Sequence, residues 1–491
     1  MPLILPGNVG SATAATTFEV ANSCRFNYGD SAYMTKTIGT PSSTTAWTLS
    51  MWFKLGSSVR SVAAEGLFTS FTDTNNRLQI VIEGSELEIF GKTGGSTSIY
   101  YLTEMKFRDH SAWYHLCIAA DTSDGTAADR VKVYLNGVRI EAGSMGSFST
   151  YTQAASNRVF ECAVDGAPHL IAAKNTGSIG SYYDGYLAEV VFIDGSQLAP
   201  TSFGEFDEDS PTIWKPIDVS GLTFGNNGYY LDFEASGNLG NDANGGTDLT
   251  ETNVAAVDQC TDSPTNNFCT LNPIDSFYRA TWGGYTEGNT VATTSSTGGD
   301  YAYATTTIGL TAGKWYWEQK IITESGSDPN YDWVGVTGRV PINDTDYVGK
   351  HATGYGYLSD DNIYNNNSAT DNWGDTFGAN DIMSVALDLD NLKLYFAKNG
   401  TWQNSGDPTT GATGTGAAYT VTAVASTPAG AYFPTCGDYA GGAGVYAMNF
   451  GNPSYANSSD AADANGYGKF EYAPPSGYLA ICTKNLGSDG G

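Results

Sequence analysis

The chain has 491 residues, enough for about two or three domains, and its 52 Asp and Glu against 23 Lys and Arg give a formal net charge of −29. This charge argues against nucleic acid and against anionic membranes as partners, because both require a basic surface. Abundant glycine and tyrosine, 59 and 31 residues, favour strands and tight turns over helices. No long segment has apolar residues at helical spacing, so we predict a nearly all-β protein.

The first 17 residues begin with the short apolar run MPLILP, which Pro2 and Pro6 interrupt. No basic residues precede it, as they would in a secretory signal peptide, so we expect no export signal. No apolar run approaches the roughly 18 residues of a membrane helix, and we expect no membrane insertion.

Residues 18–199 contain segments in which apolar and polar residues alternate, a pattern that predicts strands with one buried face. These segments include Trp47–Phe53, Leu78–Ile82, Leu87–Phe90, Trp113–Ala119, Val131–Leu135 and Tyr186–Ile193. The dipeptide Asn136-Gly137 is typical of a tight hairpin turn. Regular strands with glycine-rich turns predict a β-sandwich domain over residues 18–199.

Residues 200–276 are dominated by Asn, Asp, Gly and Pro, yet they contain many aromatic residues. A disordered linker would not retain so many aromatic side chains, because these side chains favour packing against other structure. We therefore predict an ordered connector with one strand, Tyr229–Phe233.

A hairpin within residues 277–486 is the most informative segment of the chain. Two alternating runs, Ile382–Leu389 and Leu392–Phe396, flank Asp390-Asn391, and Asn399-Gly400 follows them. Asn-Gly and Asp-Asn tolerate the positive φ that tight turns require. The hairpin predicts a second β-sandwich over residues 277–486.

Motifs in both predicted sandwiches resemble those of known families. AWTLSMWFK, WYHLCIA, VKVYLNG and YYDGYLAEVVFIDG resemble, in order, strands of the laminin-G-like, concanavalin A-like jelly roll. GKWYWEQKII, WVGVTGR, the hairpin and MNFG resemble successive strands of the SPRY domain. The resemblance implies two jelly-roll-like sandwiches with binding loops, and fold alone does not define their ligand.

The chain also resembles bacteriophage virion proteins that join a laminin-G-like domain to a SPRY domain. The resemblance rests on the segments LILPGN, NNGYYLDF, TDSPTNNF and PPSGYLAICTKNL. It implies a virion location after assembly in the host cytoplasm, with other virion proteins and further copies of the chain as partners. Residues 1–17 are then interpreted as an N-terminal anchor segment.

Motifs that would identify an enzyme are absent from the sequence. Glucanases of the jelly-roll type usually carry a Glu-x-Asp-x-x-Glu strand, which this chain lacks. Carboxylates alternate at Asp232 and Glu234 and at Asp388 and Asp390, where turns and strand ends indicate a structural role. His115 lies inside a predicted strand, and we expect it to be structural. We predict a protein that is not an enzyme and has no catalytic residues.

Two oxygen-rich loops are candidates for a calcium site, although neither has the spacing of an EF-hand. Their candidate residues are Asp121, Asp124 and Asp129 in one loop and Asn241, Asp242 and Asn244 in the other. We assign no metal site and expect that no cofactor is required. Among the seven cysteines, Cys260 and Cys269 are the one pair considered for a local disulfide.

Carbohydrate binding requires aromatic faces for the C–H groups of a sugar and amides or carboxylates for its hydroxyl groups. Loops of the SPRY-like region contain both, and loops on a rigid sandwich commonly carry binding residues. The predicted ligand-binding residues are Tyr331, Trp333, Tyr347, His351, Tyr355, Trp373 and Trp402. The alternative is that Trp333 and Trp402 belong to the core or its rim and that the loops contact neighbouring subunits.

Two functions follow from these expectations. The first is a non-enzymatic tail-fibre or surface adhesin that binds host-surface glycan or protein through sandwich loops. The second is a capsid decoration or fibre-shaft protein with purely structural contacts. A glycan-degrading enzyme is the least favoured alternative, because the sequence shows no carboxylate pair in the required pattern.

Overall fold

A computed structural model describes residues 18–56, 64–143, 147–275, 284–294, 301–326, 331–341, 346–439 and 443–489. These residues form two compact units, one ending at Thr265 and one beginning at Asn266. Strands dominate both units, which confirms the predicted all-β class with β-sandwiches. The predicted anchor segment, residues 1–17, lies outside the described residues.

The first unit is a sandwich of two large antiparallel sheets. Its strands are β1 Ser23–Phe26, β2 Tyr33–Thr37, β3 Ala46–Leu55, β4 Ala64–Asp73, β5 Asn76–Glu83, β6 Glu86–Thr93, β7 Ser96–Thr103, β8 Tyr114–Asp121, β9 Val131–Leu135, β10 Val138–Ile140, β11 Phe148–Thr152, β12 Pro168–Ile171, β13 Lys174–Asn175, β14 Ile179–Gly180, β15 Gly185–Asp194, β16 Gly204–Phe206, β17 Trp214–Pro216, β18 Tyr229–Leu231, β19 Thr250–Thr252 and β20 Gln259–Cys260. One sheet has the order β10-β9-β8-β3-β15-β1-β20, with β18 also paired to β15. The other has the order β11-β7-β6-β5-β4-β12-β2-β19.

The second unit contains two further sheets and a short helix. Its elements are β21 Gly284–Thr286, β22 Val291–Thr293, β23 Tyr301–Ala304, β24 Lys314–Thr323, β25 Asp332–Thr337, β26 Gly354–Leu358, β27 Ile363–Asn365, β28 Ser368–Thr370, β29 Ile382–Asp388, β30 Lys393–Lys398, β31 Thr401–Trp402, β32 Tyr419–Thr420, β33 Phe433–Tyr439, β34 Val445–Asn449 and α1 Thr483–Asp489. One sheet has the order β21-β22-β34-β24-β29-β30-β31, with β32 paired to β30. The other has the order β23-β33-β25-β26-β27-β28.

Single turns of 3-10 helix connect several of these strands. They lie at Tyr28–Asp30, Ala127–Asp129, Glu161–Ala163, Pro200–Ser202, Ala256–Asp258, Gln403–Ser405, Pro408–Thr410 and Val424–Ser426.

Strand β3 shows how the first unit uses both faces of a strand. Leu49, Met51 and Phe53 point into the core between the two sheets. The alternate residues, including Ser50 and Trp52, point to the opposite face, because side chains alternate along a strand. They are also buried. A layer of protein therefore covers the outer face of this sheet.

The covering layer is the segment that the sequence analysis interpreted as a connector. Up to Thr265 this segment packs within the first unit, and Phe203, Phe224 and Tyr230 cluster on Val191 of β15. Its aromatic residues are retained because the outer face of the sheet is apolar and would otherwise contact water. Residues 200–265 thus complete the first unit instead of standing between two domains.

A buried ion pair fastens the end of this covering layer to β3. The Lys54 Nζ lies 2.7 Å from the Asp262 Oδ2, and the two side chains are 1% and 0% exposed. The Trp113 Nε1 donates a second hydrogen bond to the Asp262 Oδ1 at 2.9 Å. Asp262 belongs to the segment TDSPTNNF, so part of that motif has a structural role in the first unit.

The predicted hairpin of the second unit is formed by β29 and β30. Asn399 and Gly400 have φ values of 48° and 78°, as expected for a tight turn. Leu392, predicted to begin the second strand, instead lies in the turn with a φ of 58°, and β30 begins one residue later. Asp388 accepts hydrogen bonds from the backbone and side-chain amides of Asn391 at 2.9 and 2.8 Å, so it stabilises the turn.

The seven cysteines are all buried. The Cys260 thiol donates to the carbonyl of Asp258, and the Cys269 thiol donates to the carbonyl of Thr270. None of the seven cysteines forms a disulfide in the structure, so Cys260 and Cys269 are not joined. Burial also raises the pKa of the Cys117 thiol, which packs in the sheet as a small apolar side chain.

Three buried carboxyl groups make stability depend on pH. Burial raises the pKa of Glu189 to about 8, of Glu318 to about 7 and of Asp332 to about 6. Because the folded protein holds these protons more tightly than the unfolded chain, their stabilising effect is complete below about pH 4 and is lost as the pH rises to about 8. The buried imidazoles of His115 and His169, whose pKa values burial lowers to about 3 and about 4, act in the opposite direction up to about pH 6.5. We therefore expect the free energy of unfolding to fall between about pH 6.5 and pH 8, by up to about 1.4 kcal/mol per pH unit for each ionising carboxyl group.

Urea unfolding at constant ionic strength between about pH 6.5 and pH 8 measures this dependence. Glu189→Gln is a matched variant, because its amide oxygen retains the hydrogen bond that the Tyr230 hydroxyl donates at 2.7 Å. The variant should flatten the pH dependence of the first unit and leave that of the second unchanged. Unfolding free energies of the unmodified protein that stay constant over this range would contradict the prediction.

Candidate ligand-binding site

The candidate site lies on the outer face of the β23-β33-β25-β26-β27-β28 sheet. Trp333 of β25 pairs with Leu358 of β26, and Gly356 of β26 pairs with Tyr364 of β27. Their strand neighbours, such as Val334, point into the core, so these side chains share the opposite face. A Cβ atom at Gly356 would lie 3.0 Å from the Trp333 ring, so glycine at this position leaves room for the indole.

Aromatic rings and one carboxylate line a cavity of about 240 Å³ on this face. The lining residues are Tyr301, Tyr331, Trp333, Tyr347, Leu358, Asp360 and Tyr364. They come from strands β23, β25, β26 and β27 and from the segments that adjoin them. The register of the sheet therefore assembles residues that are far apart in the sequence.

The rings meet in both parallel and perpendicular arrangements. Trp333 stacks on Tyr347, with ring centroids 5.4 Å apart, and Tyr364 stands at 76° to Trp333 with centroids 5.1 Å apart. Tyr301 lies on Tyr347, at a centroid distance of 4.8 Å. The Tyr347 hydroxyl donates to the Asn367 Oδ1 at 2.5 Å, which fixes the orientation of that ring.

Asp360 gives the cavity a negative charge. Its two carboxylate oxygens accept hydrogen bonds from the backbone and side-chain amides of Asn362 at 3.0 and 2.8 Å. Burial raises its pKa, and the neighbouring carboxylate of Asp361 raises it further. Burial also raises the pKa of Tyr364, with further increases from Asp360 and Asp371.

The structure brings together three of the seven predicted ligand-binding residues, Tyr331, Trp333 and Tyr347. His351 is not among the lining residues; it is partly exposed, and its Nε2 lies 2.9 Å from the Asp346 Oδ1. Tyr355 is only 3% exposed, and its ring packs in the core of the unit. Its hydroxyl lies 3.0 Å from the Thr422 Oγ1.

Trp373 and Trp402 lie away from the cavity. Trp373 packs edge-on against Tyr357, with centroids 5.4 Å apart, and Trp402 packs on a separate cluster that includes Tyr395. Sequence reasoning did not select Tyr301, Asp360 and Tyr364 as ligand-binding residues. The alternation of side chains along β23 and β27 places their tyrosines on one face of the sheet. However, β33 lies between β23 and β25, and β26 lies between β25 and β27, and this strand order is not visible in the sequence.

A second cavity, of about 310 Å³, opens at one edge of the first unit. Arg139, Phe148 and Tyr151 are among its lining residues. The Arg139 Nη1 lies 2.9 Å from the Asp129 Oδ1, so the calcium candidate Asp129 is engaged in an ion pair. Asp242, a candidate in the other loop, is buried beside the Lys36 Nζ at 3.4 Å. Among the described residues no group of three or more His, Cys, Asp or Glu is arranged to hold a metal ion, and calcium binding stays a prediction.

His115 has a structural environment, as the sequence analysis expected. Its Nδ1 accepts a hydrogen bond from the Trp214 Nε1 at 3.0 Å, because an indole N–H can only donate. The Nε2 therefore carries the proton and donates to the Ser50 Oγ at 2.8 Å. Burial lowers the pKa of His115 to about 3. The pair of Ser50 and a neutral imidazole is thus part of the core.

Comparison with known proteins confirms the predicted combination of domains. Residues 28–198 match the model of the concanavalin A-like lectin/glucanases superfamily, and residues 314–444 match the model of the SPRY domain. None of the curated proteins matches the sequence. The two folds indicate a binding role. Among the described residues no helix is long and apolar enough to cross a membrane.

Several solved structures share parts of these folds at low identity. The SPRY domain of human HERC1 is 18% identical and covers 36% of this chain and 96% of its own, with a TM-score of 0.26. A heptameric SAP-like pentraxin from Limulus polyphemus is 16% identical over 37% of this chain and 80% of its own, with a TM-score of 0.25. A putative carbohydrate binding protein from Bacteroides ovatus is 15% identical over 48% of this chain and 59% of its own, with a TM-score of 0.32.

Proposed function

We propose that this chain is a non-enzymatic virion protein of the tail-fibre or surface-adhesin type. In this proposal the SPRY region binds a host-surface glycan or protein through the cavity around Trp333. The aromatic cavity on the outer sheet face carries the proposal, because aromatic rings beside a carboxylate provide both kinds of contact that sugar recognition needs. Other virion proteins and further copies of the chain are the proposed assembly partners.

The virion part of the proposal is supported by the sequence segments that resemble phage virion proteins. One of them, TDSPTNNF, contains Asp262, whose buried ion pair holds the covering layer on the first unit. The sequence of such a segment is expected to be similar among proteins whose sandwich has the same covering layer. A high negative charge is compatible with assembly from many copies only where salt screens their repulsion.

Replacing two half-buried rings of the cavity tests the binding role. We expect Tyr347→Ala combined with Tyr364→Ala to weaken binding to host cells or to a glycan by about tenfold or more, because central aromatic residues dominate binding energy. Binding of the labelled full chain to a glycan array and to a panel of bacterial strains measures the effect. Circular dichroism verifies that the variant is folded.

Tyr28→Ala is the control, since Tyr28 is an exposed tyrosine of the first unit, and it should bind like the unmodified chain. Equal binding by the double variant and the control would exclude the cavity as the adhesive site. Particles that lack the protein and still adsorb normally would contradict the adhesin role and favour capsid decoration.

A further inference from the structure

The cavity around Trp333 has a chemical character more specific than that of a general sugar site. Among the described residues its walls are mainly aromatic, its one charged lining residue is Asp360, and its volume of about 240 Å³ is small. Pockets for drug-sized ligands occupy roughly 300–1,000 Å³, so this cavity suits a compact group better than an extended saccharide.

The ring arrangement favours a cation. Trp333 and Tyr347 form one stacked pair, and Tyr364 stands at 76° and 87° to them. Rings in two orientations therefore border the same cavity. The face of an aromatic ring carries negative charge and attracts a cation within about 6 Å of its centroid, most strongly for tryptophan.

The electrostatic surroundings favour a cation as well. Asp360 lies at the wall, and Asp361 and Asp371 add negative potential at Asp360 and Tyr364 respectively. The basic groups nearest in sequence, Lys350 and His351, both lie within ion-pair distance of the Asp346 carboxylate. The net charge of −29 adds a long-range attraction for positive ligands.

The hydrogen-bonding groups distinguish between kinds of cation. Both oxygens of Asp360 already accept hydrogen bonds from Asn362, and the Tyr347 hydroxyl is directed to Asn367. A primary ammonium group has three N–H donors that each need an acceptor, whereas a methylated quaternary ammonium has none. A buried donor without an acceptor is costly, so a cavity whose walls are mainly aromatic favours the methylated cation over the primary ammonium.

We infer that this cavity binds a quaternary ammonium group carried by a surface glycan. This inference rests on the proposed function and specifies its ligand. The methyl groups would contact the rings of Trp333, Tyr347 and Tyr364, and Asp360 would balance the charge. The glycan itself would lie outside the cavity, where the extended saccharide has room.

Calorimetric titration of the full chain with three small probes tests the inference. Choline carries the quaternary ammonium group, 3,3-dimethylbutan-1-ol has the same shape without charge, and ethanolamine carries a primary ammonium. We expect choline to bind at least about tenfold more tightly than either of the others, which corresponds to about 1.4 kcal/mol. Equal binding of choline and its uncharged analogue would overturn the inference.

Two variants separate the charge from the shape of the cavity. Tyr364→Leu keeps an apolar wall and removes its π-face, and Asp360→Asn keeps the size of the side chain and removes its charge. Each should weaken choline binding about threefold to tenfold without changing the binding of 3,3-dimethylbutan-1-ol. Asp124→Asn, which removes a partly exposed charge of the first unit, is the control and should change neither. Variants that bind choline like the unmodified chain would also overturn the inference.

The outcomes for the ligand and for the proposed function are distinct. If uncharged glycans bind and the Tyr347→Ala, Tyr364→Ala variant loses them while choline does not bind, the adhesin proposal stands and the quaternary ammonium inference fails. If choline binds in the cavity but neither cells nor glycans bind the chain, the chemical inference stands and the adhesin proposal fails.

Discussion

Lys54→Met is expected to lower the free energy of unfolding of the first unit by about 3–5 kcal/mol. The substitution leaves the Asp262 carboxylate, which is 0% exposed, without the cation that lies 2.7 Å away. The Trp113 indole is then its remaining side-chain hydrogen-bond donor, at 2.9 Å. A buried charge that has lost its partner retains the cost of leaving water without the compensating attraction. Urea unfolding followed by hydrogen exchange of β3 and β15 amides measures the loss in this unit.

An exposed ion pair of the same unit provides the control. The Lys106 Nζ lies 2.6 Å from the Glu86 Oε1, but the side chains are 36% and 23% exposed, so Lys106→Met should cost about 1 kcal/mol or less. Adding Asp262→Asn to Lys54→Met removes the stranded charge and should recover about 2 kcal/mol. Equal losses of unfolding free energy for Lys54→Met and Lys106→Met would contradict the prediction that the buried Asp262 needs its cation more than the exposed Glu86 does.

Glu318→Leu is expected to destabilise the second unit by about 3–5 kcal/mol. The carboxylate of Glu318 is buried and accepts four hydrogen bonds. The donors are the backbone amides of Glu471 and Tyr472, the Asn449 side-chain amide and the Tyr316 hydroxyl, at 2.8–3.0 Å. A leucine would leave these donors buried without an acceptor, and each such group is costly. Urea unfolding monitored by hydrogen exchange in β24 and β34 measures the effect.

Glu324→Ala is the matched control for this variant. Its Oε1 accepts an exposed hydrogen bond from the Ala379 amide at 2.6 Å, so we expect a loss of about 1 kcal/mol or less. Glu318→Gln should give an intermediate loss, because one amide oxygen replaces two carboxylate oxygens. A Glu318→Leu protein as stable as the Glu324→Ala protein would contradict the role assigned to the network.

The sequence predicted those parts of the fold that depend on local patterns. Alternation along Trp47–Phe53 and Val131–Leu135 placed strands where β3 and β9 lie, and Asn399-Gly400 marked a hairpin that the structure contains. The covering role of residues 200–265 was not predictable from the alternation of polar and apolar residues. Both faces of β3 and β15 are buried. A strand that is buried on both faces no longer alternates between polar and apolar positions, so its sequence does not show which face is covered.

The candidate site was predicted only in part, because its assembly depends on the pairing of strands. Trp333 and Tyr347 were selected because aromatic residues in loop-like segments are common in binding sites. Tyr301 and Tyr364 reach the same cavity only through the pairing of β23 with β33 and of β26 with β27. Such pairings join residues that are distant in sequence, and the amino-acid composition does not predict them. His351, Tyr355, Trp373 and Trp402 have similar local contexts, but the sheet places them elsewhere.

The buried ion pair of the first unit also has a consequence for the order of events during synthesis. Lys54 and Asp262 are separated by 208 positions. At about 5–20 residues per second, Asp262 leaves the ribosome roughly 10–40 s after Lys54. Strand β15 ends 68 residues before Asp262, so for the last roughly 3–14 s of that interval both β3 and β15 have been made and their apolar outer faces lack the complete cover. The nascent sandwich is exposed to aggregation during this time. The completed unit thus depends on how quickly translation delivers its last 66 residues, 200–265, and on any chaperone that shields the sheet until they arrive.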